Sequence, residues 1–171
     1  MGKYFNEDME KGTMNNGNVE EFSIDDLFEY TEERTYKEYK VDTSYEVTPT
    51  TFSDYTTPSG YTMCSLNVVK PGYEYLRKTY FEPKLDEWYK KNCQELVTDL
   101  SKLFGTAKVK ELITELDVSE VGGVLFRYIQ DLKDVDLKKT LNVPNLIIKV
   151  FKNKNGYKSF FINNTVDKNK S

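Results

Sequence analysis

The hydrophobic period changes twice along this chain, and that pattern restricts the fold more than any other feature. From Lys37 to Phe81, Tyr, Thr and Val alternate with polar residues, the period of strands with one buried face. Strands are predicted near 37–41, 44–52, 61–69 and 73–81, with Thr57-Pro58-Ser59-Gly60 turning the second into the third and Pro71-Gly72 ending the third. The period then becomes 3.6. Pro83 suits a first helical turn, and Leu85, Trp88/Tyr89, Leu96, Leu100 and Leu103/Phe104 form a stripe that stops at Gly105. Val109, Leu112, Ile113 and Leu116 mark a second, shorter helix. Val121, Leu125, Tyr128, Ile129 and Leu132 mark a third, capped by Ser119 and weakened by Gly122-Gly123. Apolar strands return at Leu146–Lys152 and Tyr157–Ile162, around Asn153-Lys154-Asn155-Gly156, a hairpin with Gly at a positive φ. Strands flanking a block of consecutive helices, with no repeat and no linker, give one α+β domain over 35–163 and a tail at 164–171 expected to fray.

Charge is unevenly placed. The total is -4, but residues 1–34 hold ten acids and three bases, whereas residues 145–171 hold six lysines and one acid. An acidic head and a basic end are a recognised pointer to a nucleic-acid surface or a self-associating tail. Residues 1–20 carry too few apolar side chains to offset the entropy of ordering and are expected to be flexible. Within Glu21–Tyr30, Ser23 and Asp26 make a variant capping box, and Ile24, Leu27 and Phe28 share one helical face. So short an amphipathic segment needs a surface to dock on. The arm 1–34, with Asp25, Asp26, Leu27 and Phe28 at its centre, is the candidate partner-binding element.

Several classes of function are excluded. None of the 171 residues is His, which removes Ser-His-Asp and Cys-His chemistry and the H-E-x-x-H zinc helix. Mean hydropathy is -0.66, and no run of about 18 apolar residues suggests a membrane span. Cys64 and Cys93 lie outside any C-x-x-C spacing and are expected to be reduced thiols in a cytoplasmic protein. No Gly-rich phosphate loop occurs, and no cofactor or metal is expected. The best enzymatic reading, a metal-dependent nuclease using Asp54 with Glu82-Pro83-Lys84, is set aside because Pro83 reads as a helix start and E-x-K arises by chance in a chain this charged. Asp25-Asp26 and Asp134-Val135-Asp136 read as caps and solvated faces. The expectation is a protein that binds and does not catalyse.

Bases and aromatics interleave in two stretches: Lys70, Tyr73, Tyr75, Arg77, Lys78 and Tyr80, then Lys149, Phe151, Lys152, Lys154, Tyr157 and Lys158, with Phe160 beyond. Cations that track phosphates beside rings that stack on bases are the chemistry of single-strand binding. Alternation puts Tyr73, Tyr75 and Arg77 on one face, Glu74 and Lys78 on the other. Tyr and Phe are also strand formers, so about half of these rings are expected in the core.

A strand pair (Tyr45–Val69), a further strand (Tyr73–Phe81), helices from Pro83 and a closing hairpin (Leu146–Ile162) make a layout that resembles phage-encoded single-stranded DNA-binding proteins built on an OB-fold. The similarity covers about residues 37–163. It implies an OB-like antiparallel β-barrel with a helical insertion, binding single-stranded DNA in phage or mobile-element replication or recombination, in the host cytoplasm. Such proteins carry their acidic tail at the C-terminus, whereas here the acidic segment is N-terminal. In that position it would compete with DNA for a basic groove or recruit replication or host proteins. A homo-oligomer is compatible with this reading. The alternative is a protein-binding module, either a phage-encoded inhibitor of a host enzyme or a virion structural component.

Overall fold

The computed structural model describes residues 36–166 and, before them, Ile24. The segment containing Asp25, Asp26, Leu27 and Phe28, and the rest of 1–34 apart from Ile24, lie outside the described residues. Five strands, β1 (Ser44–Thr56), β2 (Thr62–Val69), β3 (Leu76–Phe81), β4 (Leu146–Lys152) and β5 (Lys158–Thr165), form one antiparallel sheet in the order β3-β2-β1-β4-β5. Between β3 and β4 run α1 (Tyr89–Phe104), α2 (Thr106–Ile113), α3 (Val118–Asp131) and α4 (Leu137–Leu141). Among the described residues no helix is long and apolar enough to cross a membrane.

β1 is the strand both halves of the sheet share. Ser44–Val47 pair with β4, and Thr48–Thr56 pair with β2. The register shifts between Pro49 and Phe52, where Pro49 brings no backbone donor and a bulge relieves the ladder. Inward-facing Val47, Phe52, Leu66, Val68, Ile148, Val150 and Phe160 are buried. They join Leu96, Leu100, Val109, Leu125, Phe126, Ile129 and Leu137 from the helices in one core. Of the expected stripe, Tyr89, Leu96, Leu100 and Leu103 are buried on α1 and Cys93 joins them, whereas Leu85 and Trp88 precede the helix and are exposed.

One member of that stripe is charged. Asp99 Oδ2 accepts from Lys78 Nζ at 2.7 Å and from Tyr80 Oη at 2.6 Å, and all three residues are buried. Glu95 Oε2 lies 3.2 Å from the same ammonium. Three residues further along α1, Lys102 Nζ donates to the carbonyl of Ile162 on β5 at 2.7 Å. The helix is therefore tied to both free edges of the sheet.

The expected closed barrel does not form. β3 and β5 come within 8 Å of each other between Cα atoms, but no ladder joins them. Only six residues long, β3 directs Lys78 and Tyr80 to α1 instead. Further corrections are local. Residues 37–41 make only a single bridge, Lys37 to Tyr73, because the chain turns at Asp42 with φ 64° before β1 begins. Tyr73 and Tyr75 precede β3, since the turn at Gly72 (φ 82°) continues through the Tyr73 N–H to Lys70 carbonyl bond. α1 starts at Tyr89, six residues after Pro83, once the Asp86 carboxylate has taken the Trp88 N–H at 2.9 Å. Asp117 rather than Ser119 caps α3, in a capping box with Glu120. α4 has no counterpart among the expected helices; Asp136 caps it through the Lys139 N–H, and Asn142 ends it in the left-handed region. β5 continues through Thr165, past the point where fraying was expected.

The weak point expected at Gly122 is a packing requirement. Tyr89 Oη accepts from the Gly122 N–H at 2.9 Å and donates to the Val118 carbonyl at 2.6 Å. A Cβ on Gly122 would lie 2.8 Å from Pro83 Cβ.

Two stability changes are expected in urea denaturation. Asp99→Ala leaves a buried ammonium beside the exposed carboxylate of Glu95 alone and lowers stability by about 3–5 kcal/mol, whereas pairing it with Lys78→Met recovers much of the loss. Gly122→Ala costs about 1–3 kcal/mol through overpacking. Wild-type midpoints for the two single variants would refute these assignments.

Candidate nucleic-acid interface

Alternation along β3 decides what each side chain meets. Leu76, Lys78 and Tyr80 are buried, while Arg77 and Phe81 are exposed. On the other side of the open seam, the β4–β5 hairpin turns at Asn153–Gly156. Asn153 Oδ1 there accepts from the backbone N–H of Asn155 at 2.9 Å and of Tyr157 at 3.0 Å, and Gly156 takes φ 87°. The turn is thus built by the residues the sequence placed in it.

Between β3 and this hairpin lies an open groove of about 860 Å³. Its walls include Tyr75, Arg77, Lys78, Phe81, Phe151, Tyr157 and Lys158, and its floor reaches Met63 and Asn67 on β2. Tyr75 is 80 % exposed and Tyr157 71 %, so two rings from distant parts of the chain present free faces. Phe151 stacks on Phe161 with centroids 4.4 Å apart and planes inclined by 18°.

The positive charges divide into two groups. Lys78 and Lys158 line the groove but are already paired, Lys78 with Asp99 and Glu95, and Lys158 with Glu38 at 3.2 Å and Glu74 at 3.5 Å. Burial disfavours the charge of Lys158, yet the hydrogen bond to Glu38 and the charge of Glu74 outweigh it and raise its pKa. Arg77, Lys149, Lys152 and Lys154 are exposed and make no ion pair among the described residues. Of these four only Arg77 lines the groove; Lys149, Lys152 and Lys154 are carried by the adjoining hairpin.

Six of the twelve nominated nucleic-acid-binding residues, Tyr75, Arg77, Lys78, Phe151, Tyr157 and Lys158, therefore line one groove. Tyr80 does not reach it. Its ring is in the core and its hydroxyl is bound to Asp99, with burial and then that carboxylate holding the phenol well above its usual pKa. Tyr73 packs in a cluster with Tyr39 and Tyr45, centroids 5.1 and 5.6 Å away, and Lys70 Nζ sits 5.6 Å from the Tyr73 centroid. Lys149 lies across from Phe161 on the outer face of the hairpin. Phe81 and Asn67 were not nominated; the alternation that selected Arg77 extends to Phe81, while Asn67 carries no distinguishing signal.

Tyr39 anchors the aromatic cluster. Its backbone N–H donates to Glu74 Oε2 at 3.3 Å, and its own hydroxyl is buried with no hydrogen-bond partner among the described residues. Burial, then the charge of Glu74, pushes that phenol up to about 12. The residues considered for a metal do not come together as a site. Asp54 is paired with Lys133 at 3.0 Å, Glu82 is exposed, and no group of three or more metal-ligating side chains occurs among the described residues. Cys64 and Cys93 are buried free thiols, and burial followed by the Asp54 charge lifts Cys64 to about 11.

No family model matches the chain, and no curated protein is significantly similar to it.

The titrations have one sign. Tyr39, Tyr80, Cys64 and Lys158 all have folded pKa values above their ordinary ones, so the folded state holds protons the unfolded chain releases. Their stabilisation is complete below the unfolded values and is lost as pH rises through the folded ones. The window opens at the ordinary thiol value of 9.0 and extends to about 12. Urea midpoints measured at intervals across it are expected to fall steadily. A midpoint that holds constant to the top of the range would contradict the burial of Tyr39, Tyr80 and Cys64 and the ion pairs of Lys158.

Proposed function

We propose that this protein binds single-stranded DNA, without catalysis, along the groove between β3 and the β4–β5 hairpin. The observation that carries the reading is convergence. Tyr75 and Arg77 are separated from Phe151 and Tyr157 by more than 70 residues of sequence, yet all four line one groove. Exposed rings beside an unpaired guanidinium suit a ligand with flat bases on a charged backbone, and each stacked base is worth about 1–3 kcal/mol.

The strand order lends support to an OB-like architecture. A first strand shared by two half-sheets, helices inserted between β3 and β4, and approaching β3 and β5 edges belong to that plan, in which binding uses one sheet face and its loops. Here the plan is open at the seam. The two buried free thiols are compatible with a reducing cytoplasm. A role in phage or mobile-element replication or recombination rests on the layout resemblance. Recruitment of replication or host proteins by Asp25, Asp26, Leu27 and Phe28 rests on the sequence of the acidic arm.

A second reading, a protein-binding module, is favoured by Glu74 and Glu95 on the groove wall and by the unpaired edges of β3 and β5. Oligonucleotide titration separates the two. With labelled oligo-dT, anisotropy is expected to rise at about 50 mM salt and to weaken toward 200 mM, with a log–log slope near -0.7 per phosphate neutralised. Arg77→Ala should lower that slope by roughly 0.7. Tyr75→Ala and Tyr157→Ala should each weaken binding by about 1–3 kcal/mol. Absence of binding at the lower salt would overturn the DNA reading in favour of the protein-binding one.

A further inference from the structure

The groove does not stop at the end of β3. Phe81, the last residue of that strand, lines both the groove and a second cleft of about 420 Å³. Tyr61 from the β1–β2 turn, Lys84 from the segment after β3, and Trp88 and Lys91 from the start of α1 form the other walls. Tyr61, Phe81 and Trp88 are 58, 57 and 55 % exposed, and none belongs to the core. Three large rings outside the core, each left about half in water around one cleft, form clustered exposed apolar surface of the kind that marks a binding site. The chain's only Trp is held in place by its backbone, through the N–H bond to Asp86 that begins α1. Lys91 Nζ lies over its ring, 5.8 Å from the centroid, so one face carries a cation–π contact and the other is the one a base would stack on.

The charges select the kind of contact. Lys84 and Lys91 are matched by Glu82 and Asp86 on the same walls. With two acids to two bases, the cleft thus offers ring faces rather than a net positive field, while Arg77 lies on β3 and Lys149, Lys152 and Lys154 on the hairpin. Arg77 and Phe81 are two alternations apart on one strand face, roughly 13 Å at about 3.3 Å per residue. A ligand spanning both sites must be long and linear, carry repeated flat rings, and tolerate a neutral stretch at one end.

Resting on the reading above, we infer that the Trp88 cleft is a second base-stacking subsite. It continues the groove past Phe81 and extends the single strand the protein holds.

Titrating the full chain with labelled oligo-dT of about 4 and about 12 nucleotides tests this, since sites of about 4 to 16 nucleotides are usual for such surfaces. Anisotropy reports binding, and tryptophan emission reports Trp88 alone. The longer oligonucleotide is expected to quench that emission. Trp88→Leu should weaken it about tenfold while leaving the shorter one within about twofold, and Trp88→Phe should restore most of the loss. Because Trp88 is half-exposed and outside the core, all these chains are expected to fold, which circular dichroism checks. If the longer oligonucleotide binds with unchanged emission, or binds Trp88→Leu as tightly as wild type, the subsite is wrong and the groove reading stands. If neither oligonucleotide binds, both fall together.

Discussion

Two hydrogen bonds converging on one carboxylate oxygen hold this structure's geometry. Asp99 receives Lys78 and Tyr80 from β3, and Lys102, one turn further along α1, reaches the backbone of β5. A sheet whose edges do not pair has no ladder to set the distance between them. Here α1 sets it, with a charged cross-tie to one edge and a neutral acceptor on the other. A buried ion pair is an expensive way to hold two elements together, because desolvation cancels much of the attraction. Its geometry is specific where an apolar contact would let the edge slide. The width of the groove is consequently fixed from beneath, by a helix that contributes only Glu95 to its lining.

The same strand that is anchored below is open above. Arg77 lies between Leu76 and Lys78, and the pleat sends it to the opposite face. Two cations adjacent in sequence thus have unrelated roles, one neutralised in the core and one free at the groove. Lys158 is a third case: it lines the groove, but Glu38 and Glu74 hold it, so it fastens the hairpin to the segments before β1 and before β3 more than it attracts an anion. The positive character of the interface is therefore smaller than its lysine count suggests.

The parts of this fold written in local pattern were legible. The α1 stripe and the hairpin around Asn153–Gly156 follow from spacing and turn chemistry within a few residues. What was not legible depends on partners far away. Lys78 in an alternating strand reads as a solvent-facing base; only Asp99, 21 residues on, turns it inward. A trace of that was present, since Asp99 interrupts an otherwise apolar stripe. Lys158 depends on Glu38, 120 residues away, and nothing in either segment announces the other. Residues 37–41 alternate well enough for a strand, yet a strand needs a ladder partner, and Lys37 finds only the single bridge to Tyr73. Openness of the sheet is likewise a property of two edges, which the periodicity of neither one records.

The division of β1 between two partners also fixes an order of events during synthesis. Thr48–Thr56 can pair with β2 as soon as the next dozen or so residues emerge, but Ser44–Val47 have no partner until Leu146–Lys149 have been made. For about 80 residues of translation, from the end of β2 at Val69 to Lys149, one half of a single strand is laddered while the other half is a bare edge, the condition in which nascent β-structure is most exposed to wrong pairing. Pro49 stands at the boundary between those halves. Lacking an N–H, it keeps the early ladder from offering a foreign strand a continuous run of donors across the junction.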